Sequence, residues 1–180
     1  MKILAFGPHP DDVEFGCAPV LMQEAERGHE VRIVVATRGE AASSGTPEER
    51  EREARAAARV IGASIEFLDL GGDCHLSHTP ATAMEMARQI RRFQPRVVLA
   101  PSPDENQHPD HVAIARSVRD GARLARYGGL QELNGLAAHA IAHLLFYTIT
   151  QVFSGPPHLI VDVSGVQERW CEPWNATPRK

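Results

Sequence analysis

The chain has 180 residues, of which 43% are hydrophobic and 23% charged, and this length suits one domain with its own core. Its net charge of −4 gives no basic surplus for a phosphate backbone, so we expect no nucleic-acid partner. The only lysines are Lys2 and Lys180, which excludes a P-loop lysine, a Schiff-base lysine and a polybasic membrane patch inside the chain.

Short apolar runs alternate with helical patterns along the chain. Strands are predicted, in order, at Ile3–Phe6, Val31–Thr37, Ile65–Leu68, Val97–Ala100, Leu144–Ile149 and Leu159–Val163. Helices are predicted at Val13–Arg27, from Thr46 to about Ile61, at Pro80–Phe93, and from near His108 to before Gly128. This alternation predicts an α/β domain with a mainly parallel sheet, helices on both faces and the doubly wound order 3-2-1-4-5.

The second of these helices has clear start and stop signals. Thr46 can cap it, Pro47 suits its first position, and Glu49 completes a capping box. Gly62 follows the last turn and is expected to end the helix.

The cysteines and the hydropathy indicate a cytoplasmic protein that does not associate with membranes. Cys17, Cys74 and Cys171 are far apart and odd in number, which fits neither a disulfide framework nor a four-cysteine zinc site. The apolar start is too short for a signal-peptide core, and the longest apolar run, Leu136–Tyr147, is too short to span a bilayer.

Two polar loops are predicted to meet at one edge of the sheet. Segment 7–12 (GPHPDD) follows the first strand, and segment 101–111 (PSPDENQHPDH) follows the fourth. The predicted strand order reverses between these two strands, and open α/β sheets bind ligands at that point. The first loop lacks the glycines of G-x-G-x-x-G, and its carboxylates would repel a pyrophosphate, so a dinucleotide is disfavoured.

Instead, the two loops offer imidazoles and carboxylates. Two imidazoles and one carboxylate form a ligand set used by catalytic zinc, with a position left for water, and the same set suits Fe(II). His9 and Asp12 could reach one metal from a turn that begins a helix, and His111 could reach it from the first turn of another. The alternative is that Asp11 and Asp12 are ordinary helix caps. The occurrence of both loops at one switch point favours the metal site.

Further polar candidates follow the second and third strands. Arg38, Arg50 and Asp73 could bind sugar hydroxyls or an anionic group, although Arg50 also fits a solvated helix start. The cluster of Cys74, His75 and His78 (a short loop segment) is interpreted as pocket wall or surface loop rather than as a second metal site. The chain has no G-x-S-x-G elbow, which disfavours a serine hydrolase.

At these residues the chain resembles the LmbE-like (PIG-L) N-acetylglucosaminyl deacetylase family. Segments 9–12 (HPDD) and 108–111 (HPDH) match its two motifs, and segments 37–40 (TRGE) and 45–50 (GTPEER) are also similar to it, as is Asp73. The similarity covers roughly Lys2–Ser164, so we expect a deacetylase-like domain over 1–164 and a tail of uncertain structure over 165–180. The resemblance implies a Rossmann-like three-layer α/β/α fold without a nucleotide.

The resemblance also implies the roles of the motif residues. Zinc would be held by His9, Asp12 and His111, with Asp11 as general base. His108 would stabilise the oxyanion or serve as general acid, and we expect Asp110 to hold it protonated.

Family members typically remove an acetyl group from an N-acetylated amino sugar or its conjugate. The resemblance therefore implies a zinc-dependent deacetylase acting on a small molecule, and a homo-oligomer is consistent with it. Some members catalyse other reactions, so one alternative is a hydratase on a small carboxylic acid clamped by Arg38 and Arg50. A second alternative is a non-catalytic domain that retains the fold.

The chain departs from the family pattern in three places. Ala18-Pro19 stands where members often have two glycines, and Asn106 stands where they often have tyrosine or aspartate. We treat Asn106 as a candidate substrate contact. Members usually continue from the last strand into another helix, whereas segment 170–175 (WCEPWN) shows no helical period.

Overall fold

The computed structural model describes residues 1–104, 108–149 and 155–175. Its strands are β1 (Lys2–Gly7), β2 (Glu30–Val35), β3 (Ala63–Phe67), β4 (Val97–Pro101) and β5 (His143–Tyr147). Its helices are α1 (Asp12–Gly16), α2 (Ala18–Glu26), α3 (Pro47–Ile61), α4 (Pro80–Phe93), α5 (Pro109–Leu124) and α6 (Gln167–Asn175), with a 3₁₀ turn at Gln131–Leu133.

The strands form one parallel sheet in the order β3-β2-β1-β4-β5, which confirms the predicted topology. The central strand β1 pairs with β2 on one side and β4 on the other, and Ile3 lies opposite both Val31 and Val97. The topological switch point therefore lies between β1 and β4. The loops that carry the two sequence motifs leave the sheet at its carboxyl edge there.

Both faces of the sheet are covered, because alternate side chains of each strand point to opposite faces. Leu4 and Phe6 pack in one buried cluster with residues of α4 and α5. Ile3 and Ala5 pack in a second cluster with residues of α1, α2 and α3. Full burial of a Leu or Ile side chain stabilises a fold by roughly 1.5–3 kcal/mol, so these clusters hold β1 rigidly beneath the switch point.

Helix α3 has the predicted ends. The Thr46 side chain accepts a hydrogen bond from the backbone of Glu49, and the Glu49 side chain accepts one from the backbone of Thr46. Gly62 ends the helix in a left-handed conformation with φ of 82°.

The prediction of a single helix over Val13–Arg27 is wrong in one respect. The structure divides this segment at Cys17 into two helices, α1 and α2. Pro19 has no backbone N–H to donate to the carbonyl of Phe15, which interrupts the hydrogen-bond ladder there. The break leaves α1 as a single short turn that presents the first motif.

Two predictions near the C-terminus are also wrong. Segment Leu159–Val163 is not a strand of the described sheet, and Leu159 and Ile160 are exposed. Residues of high β-propensity form a strand only where a neighbouring strand completes the ladder. The segment said to lack a helical period lies in α6, whose Trp170 donates to the backbone oxygen of Glu14 at 3.0 Å. Tertiary contacts of Trp170 and the buried Val166 stabilise this helix despite its weak pattern.

No helix among the described residues is both long and apolar enough to cross a membrane.

Candidate metal centre

The carboxyl edges of β1 and β4 bring three predicted ligands together. Donor atoms of His9, Asp12 and His111 all lie within 4.8 Å of one another. Asp12 lies between the imidazoles, with Oδ2 3.0 Å from Nδ1 of His9 and Oδ1 3.1 Å from Nε2 of His111. Asp12 and His111 are buried at the first turns of α1 and α5, so two helix starts fix the geometry of the cluster.

The cluster has the donor chemistry of a metal site. Two imidazoles and one carboxylate suit a divalent ion such as zinc. The Nδ1 atom of His111 is buried and has no hydrogen-bond partner among the described residues. Nε2 of His111, and not this atom, faces Asp12, so the fit to an ion rests on the donor set and its geometry. These residues therefore fit a metal ion.

Asp11 occupies a strained position beside this cluster. Its φ of 141° lies in a region that L-residues rarely adopt, and such strain tends to occur at functional sites. Asp11 is the N-cap residue of α1, yet its side chain makes no capping hydrogen bond. Its carboxylate instead pairs with the guanidinium of Arg50, at 3.4 Å. The structure therefore argues against the ordinary-cap interpretation of Asp11.

The Nε2 atom of His9 faces a second set of acids. It lies 3.1 Å from Oδ2 of Asp110 and 3.0 Å from Oδ1 of Asp73. Asp110 is fully buried and also accepts a hydrogen bond from the backbone of Cys74 at 2.8 Å. Asp73, which the sequence predicts as a substrate contact, also lies where it can orient a candidate metal ligand, as outer carboxylates commonly do in metal sites.

His108 caps helix α5. Its Nδ1 accepts a hydrogen bond from the backbone N–H of Asp110 at 3.2 Å, whereas the Asp110 carboxylate bonds His9. The expectation that Asp110 holds His108 protonated is therefore wrong in this geometry. A nitrogen that accepts a hydrogen bond carries no proton, so the remaining proton of neutral His108 is assigned to Nε2.

Electrostatic interactions in the triad of His9, Asp12 and His111 favour an ion pair between His9 and Asp12. Burial lowers the pKa of His9, but hydrogen bonds and charges of Asp12, Asp110 and Asp73 outweigh burial and raise this pKa to about 9. Burial raises the pKa of Asp12, but hydrogen bonds from His111 and His9 outweigh it and hold the pKa well below its usual range. Asp12 is therefore ionised, as a metal ligand must be.

Two further acids beside the triad have raised pKa values. Burial and the charge of Asp12 raise the pKa of Asp11 to about 6, although Arg50 lowers it. Burial raises the pKa of Glu14 to about 7. Glu14 was not identified from the sequence, where it resembles any acid in the first turn of a helix, and only its burial distinguishes it.

The structure places the remaining predicted residues differently. The guanidinium of Arg50 pairs with the carboxylate of Asp11. Arg38 pairs with Glu51 of α3 at 2.8 Å and is partly exposed, so its side chain is engaged away from the triad. Asn106 lies outside the described residues. Cys74 is exposed at the edge of the site, with Sγ 3.9 Å from Nε2 of His108, in agreement with the predicted loop position.

The fold and site define a doubly wound α/β domain with a candidate metal centre at its topological switch point. The family model described as PIG-L, GlcNAc-PI de-N-acetylase, matches residues 4–122, which is more than half of the chain. The chain belongs to this family, as the resemblance of its two motifs predicted.

Curated relatives of the chain include proteins of two named activities. It is 29% identical over 117 residues to the uncharacterized deacetylase YaiS of Escherichia coli, covering 62% of this chain and 63% of YaiS. It is 29% identical over 139 residues to 4-oxalmesaconate hydratase of Pseudomonas putida, covering 69% of this chain and 54% of the hydratase. The matched part is therefore less than two thirds of either relative.

Solved structures share the fold. The conserved protein TT1542 of Thermus thermophilus is 34% identical with a TM-score of 0.87, covering 95% of this chain and 76% of that one. N,N'-diacetylchitobiose deacetylase of Pyrococcus horikoshii is 24% identical with a TM-score of 0.82, covering 98% of this chain and 71% of that one.

Proposed function

We propose that the protein is a zinc-dependent hydrolase that removes an acetyl group from the amide nitrogen of an N-acetylated amino sugar or related small conjugate. The observation that carries this proposal is the convergence of His9, Asp12 and His111 with the strained Asp11 beside them. Membership of a family described by a de-N-acetylase, and similarity to deacetylases, support the same reaction class.

The proposed chemistry needs a metal ion, a base and a proton donor. When bound at the triad, zinc would polarise the amide carbonyl and lower the pKa of water from about 15.7 toward about 7. Fe(II) suits the same ligand set.

Asp11 is the proposed general base. Its carboxylate adjoins Asp12 in sequence and remains 43% exposed, so a water molecule can reach it. Arg50 stabilises the ionised form of Asp11, which can then accept the proton of the attacking water.

His108 is the proposed donor to the developing oxyanion. Because its Nδ1 accepts the backbone N–H of Asp110, the ring direction is fixed and Nε2 carries the proton. A preorganised donor of this kind is typically worth about 3 kcal/mol in the transition state. The amine then leaves with the proton that Asp11 accepted from the water, because a His108 ring that accepts at Nδ1 has only its Nε2 proton and would become an imidazolate by giving it up.

The test is metal-dependent release of acetate. Protein stripped by a chelator is reloaded with Zn²⁺ or Fe²⁺ and offered a panel of N-acetyl amino sugars, and acetate and free amine are measured together. We expect His9→Gln to lose metal and activity, and Asp11→Asn to keep metal but lose activity. His29→Gln, in the turn between α2 and β2, is the matched control and should retain both. Full activity in Asp11→Asn would contradict the proposed base.

A hydratase acting on a small carboxylic acid is the second candidate. The similarity to 4-oxalmesaconate hydratase supports it, and Arg50 beside Asp11 offers a cation that could bind a carboxylate. The same substrate panel, extended to unsaturated carboxylic acids, separates the two reactions because only a deacetylase liberates acetate. Stoichiometric metal without turnover of any substrate would favour the non-catalytic alternative.

A further inference from the structure

The guanidinium of Arg50 occupies an enclosed position beside the candidate metal centre. Its Nη2 lies 3.4 Å from Oδ2 of Asp11. Its Nε is buried and has no hydrogen-bond partner among the described residues. Burial of a polar atom without a partner is costly, so hydrogen bonding at Nε does not explain why the side chain lies here. Packing against a neighbouring part of the chain therefore helps to fix its position.

That neighbour is Gly39, in the loop that follows β2. A Cβ atom on Gly39 would lie 2.4 Å from Nε of Arg50, 3.0 Å from its Cζ and 3.1 Å from its Cδ. Real Cβ atoms essentially never approach another heavy atom within 3.0 Å, so the guanidinium occupies the space of the missing side chain. Gly39 also has a left-handed backbone with φ of 73°, which favours glycine. The close approach of Arg50 is a second requirement for glycine, independent of the backbone.

The backbone of Gly39 is tied to the loop that carries the first motif. Its N–H donates to Oγ1 of Thr37 at 3.3 Å. Thr37 is buried and donates twice to the backbone oxygen of Pro8, from Oγ1 at 2.9 Å and from its N–H at 3.1 Å. Pro8 immediately precedes His9. The surface against which Arg50 lies is therefore fixed relative to the candidate metal ligands.

We propose that Gly39 is a positioning residue for Arg50, because the absence of its side chain lets the guanidinium lie against the loop and reach Asp11. Arg50 projects from the first turn of α3, which the capping box holds in place. Gly39 then sets the path of the side chain beyond that turn. Gly39 acts through Arg50 and takes no part in the chemistry itself.

The position of Arg50 is tested by crystal structures of two variants, without reference to activity. Gly39→Ala is compared with the matched control Gly45→Ala, which also places a side chain on a left-handed residue, with φ of 79°. At Gly45 the added Cβ would lie 3.6 Å from Cγ of Arg50, an ordinary contact. We expect the guanidinium to leave Asp11 in Gly39→Ala and to stay in Gly45→Ala. A guanidinium that still pairs with Asp11 in Gly39→Ala would overturn the proposal.

A double variant covers the case in which Gly39→Ala does not fold. Arg50→Ala empties the space that the added Cβ needs, so Gly39→Ala/Arg50→Ala should fold. In urea denaturation, the loss of stability from Gly39→Ala should be smaller in the Arg50→Ala background than in the wild type, and should there equal the loss from Gly45→Ala. An equal loss from Gly39→Ala in both backgrounds would mean that the glycine serves the backbone alone, against the proposal.

The catalytic consequence rests on the proposed function. In acetate release at pH 6, Gly39→Ala should lower kcat to the level of Arg50→Ala, with KM and bound zinc unchanged. In the Arg50→Ala background the same substitution should change kcat by less than about twofold, because coupled residues are not additive. A raised KM with unchanged kcat would contradict a positioning role toward the base. If no N-acetyl substrate is turned over, the proposed function fails, while the crystal structures and urea denaturation still decide what holds Arg50.

Discussion

The guanidinium of Arg50 lies 3.4 Å from the carboxylate of Asp11, which links helix α3 to the first motif. This cation lowers a pKa that burial and Asp12 raise. In Arg50→Met the pKa of Asp11 should therefore rise. Because a general base works only when ionised, the acid limb of the pH–activity profile should move up by about one pH unit. Activity should fall most near pH 6 and least above pH 8.

The matched control for this variant is Arg52→Met, an exposed arginine on the same helix. Its pH profile should overlay that of the wild type. An Arg50→Met profile with the same acid limb and only a raised KM would assign Arg50 to substrate binding instead.

The protonation of His9 predicts that metal binding depends on pH. In the metal-free protein the pKa of His9 is raised to about 9, so the imidazole is protonated at pH 7 and must lose its proton to bind a metal. We expect metal affinity to increase from pH 6 to about pH 9 and then to level off. Calorimetry at pH 7 in buffers of different ionisation enthalpy should show the release of a proton. Identical heats in all buffers would contradict this assignment.

Asp73 should affect the metal rather than the substrate alone. Its Oδ1 lies 3.0 Å from Nε2 of His9, and loss of an outer carboxylate typically lowers metal affinity about 10- to 100-fold. We expect Asp73→Asn to bind zinc more weakly by that factor in competition with a chelator. Asp69→Asn, an exposed acid in the same loop, is the control and should bind normally. Unchanged affinity with a raised KM would restore Asp73 to the substrate-contact role predicted from sequence.

Arg91 should contribute strongly to stability, because it is buried and ties α4 to the segment that leads into β5. Its guanidinium donates to the backbone carbonyls of four residues: Ala125, Tyr127, Leu133 and Leu136. Arg91→Met leaves those oxygens without this donor, and we expect a loss of about 3 kcal/mol in the free energy of unfolding. Urea denaturation measures the loss. The exposed neighbour Arg92→Met should change stability by less than about 0.5 kcal/mol.

Local patterns in the sequence were sufficient for most of the fold. The strand β1 was recognised from four consecutive apolar residues, and the ends of α3 were recognised from Thr46, Glu49 and Gly62. Both signals lie within a few neighbouring residues, so they can be read from the sequence. The alternation of these elements then favoured the 3-2-1-4-5 order, since few connections satisfy right-handed crossovers. The two motifs were expected to meet for the same reason.

The contacts across the site depended on tertiary structure. Which nitrogen of His9 faces Asp12 and which faces Asp110, 101 residues away, is decided by sheet register and by the orientation of α1 and α5. The same placement buried Glu14 and brought Arg50 to Asp11. Near the C-terminus, the apolar pattern of Leu159–Val163 predicted a strand, but this segment does not pair with the described sheet. Contacts of Trp170 stabilise a helix that the sequence pattern did not predict. The sequence alone determined which residue types were available for a metal centre. Packing determined the partners of these residues, because hydrogen bonds and ion pairs form only between groups that the whole fold brings within a few ångströms.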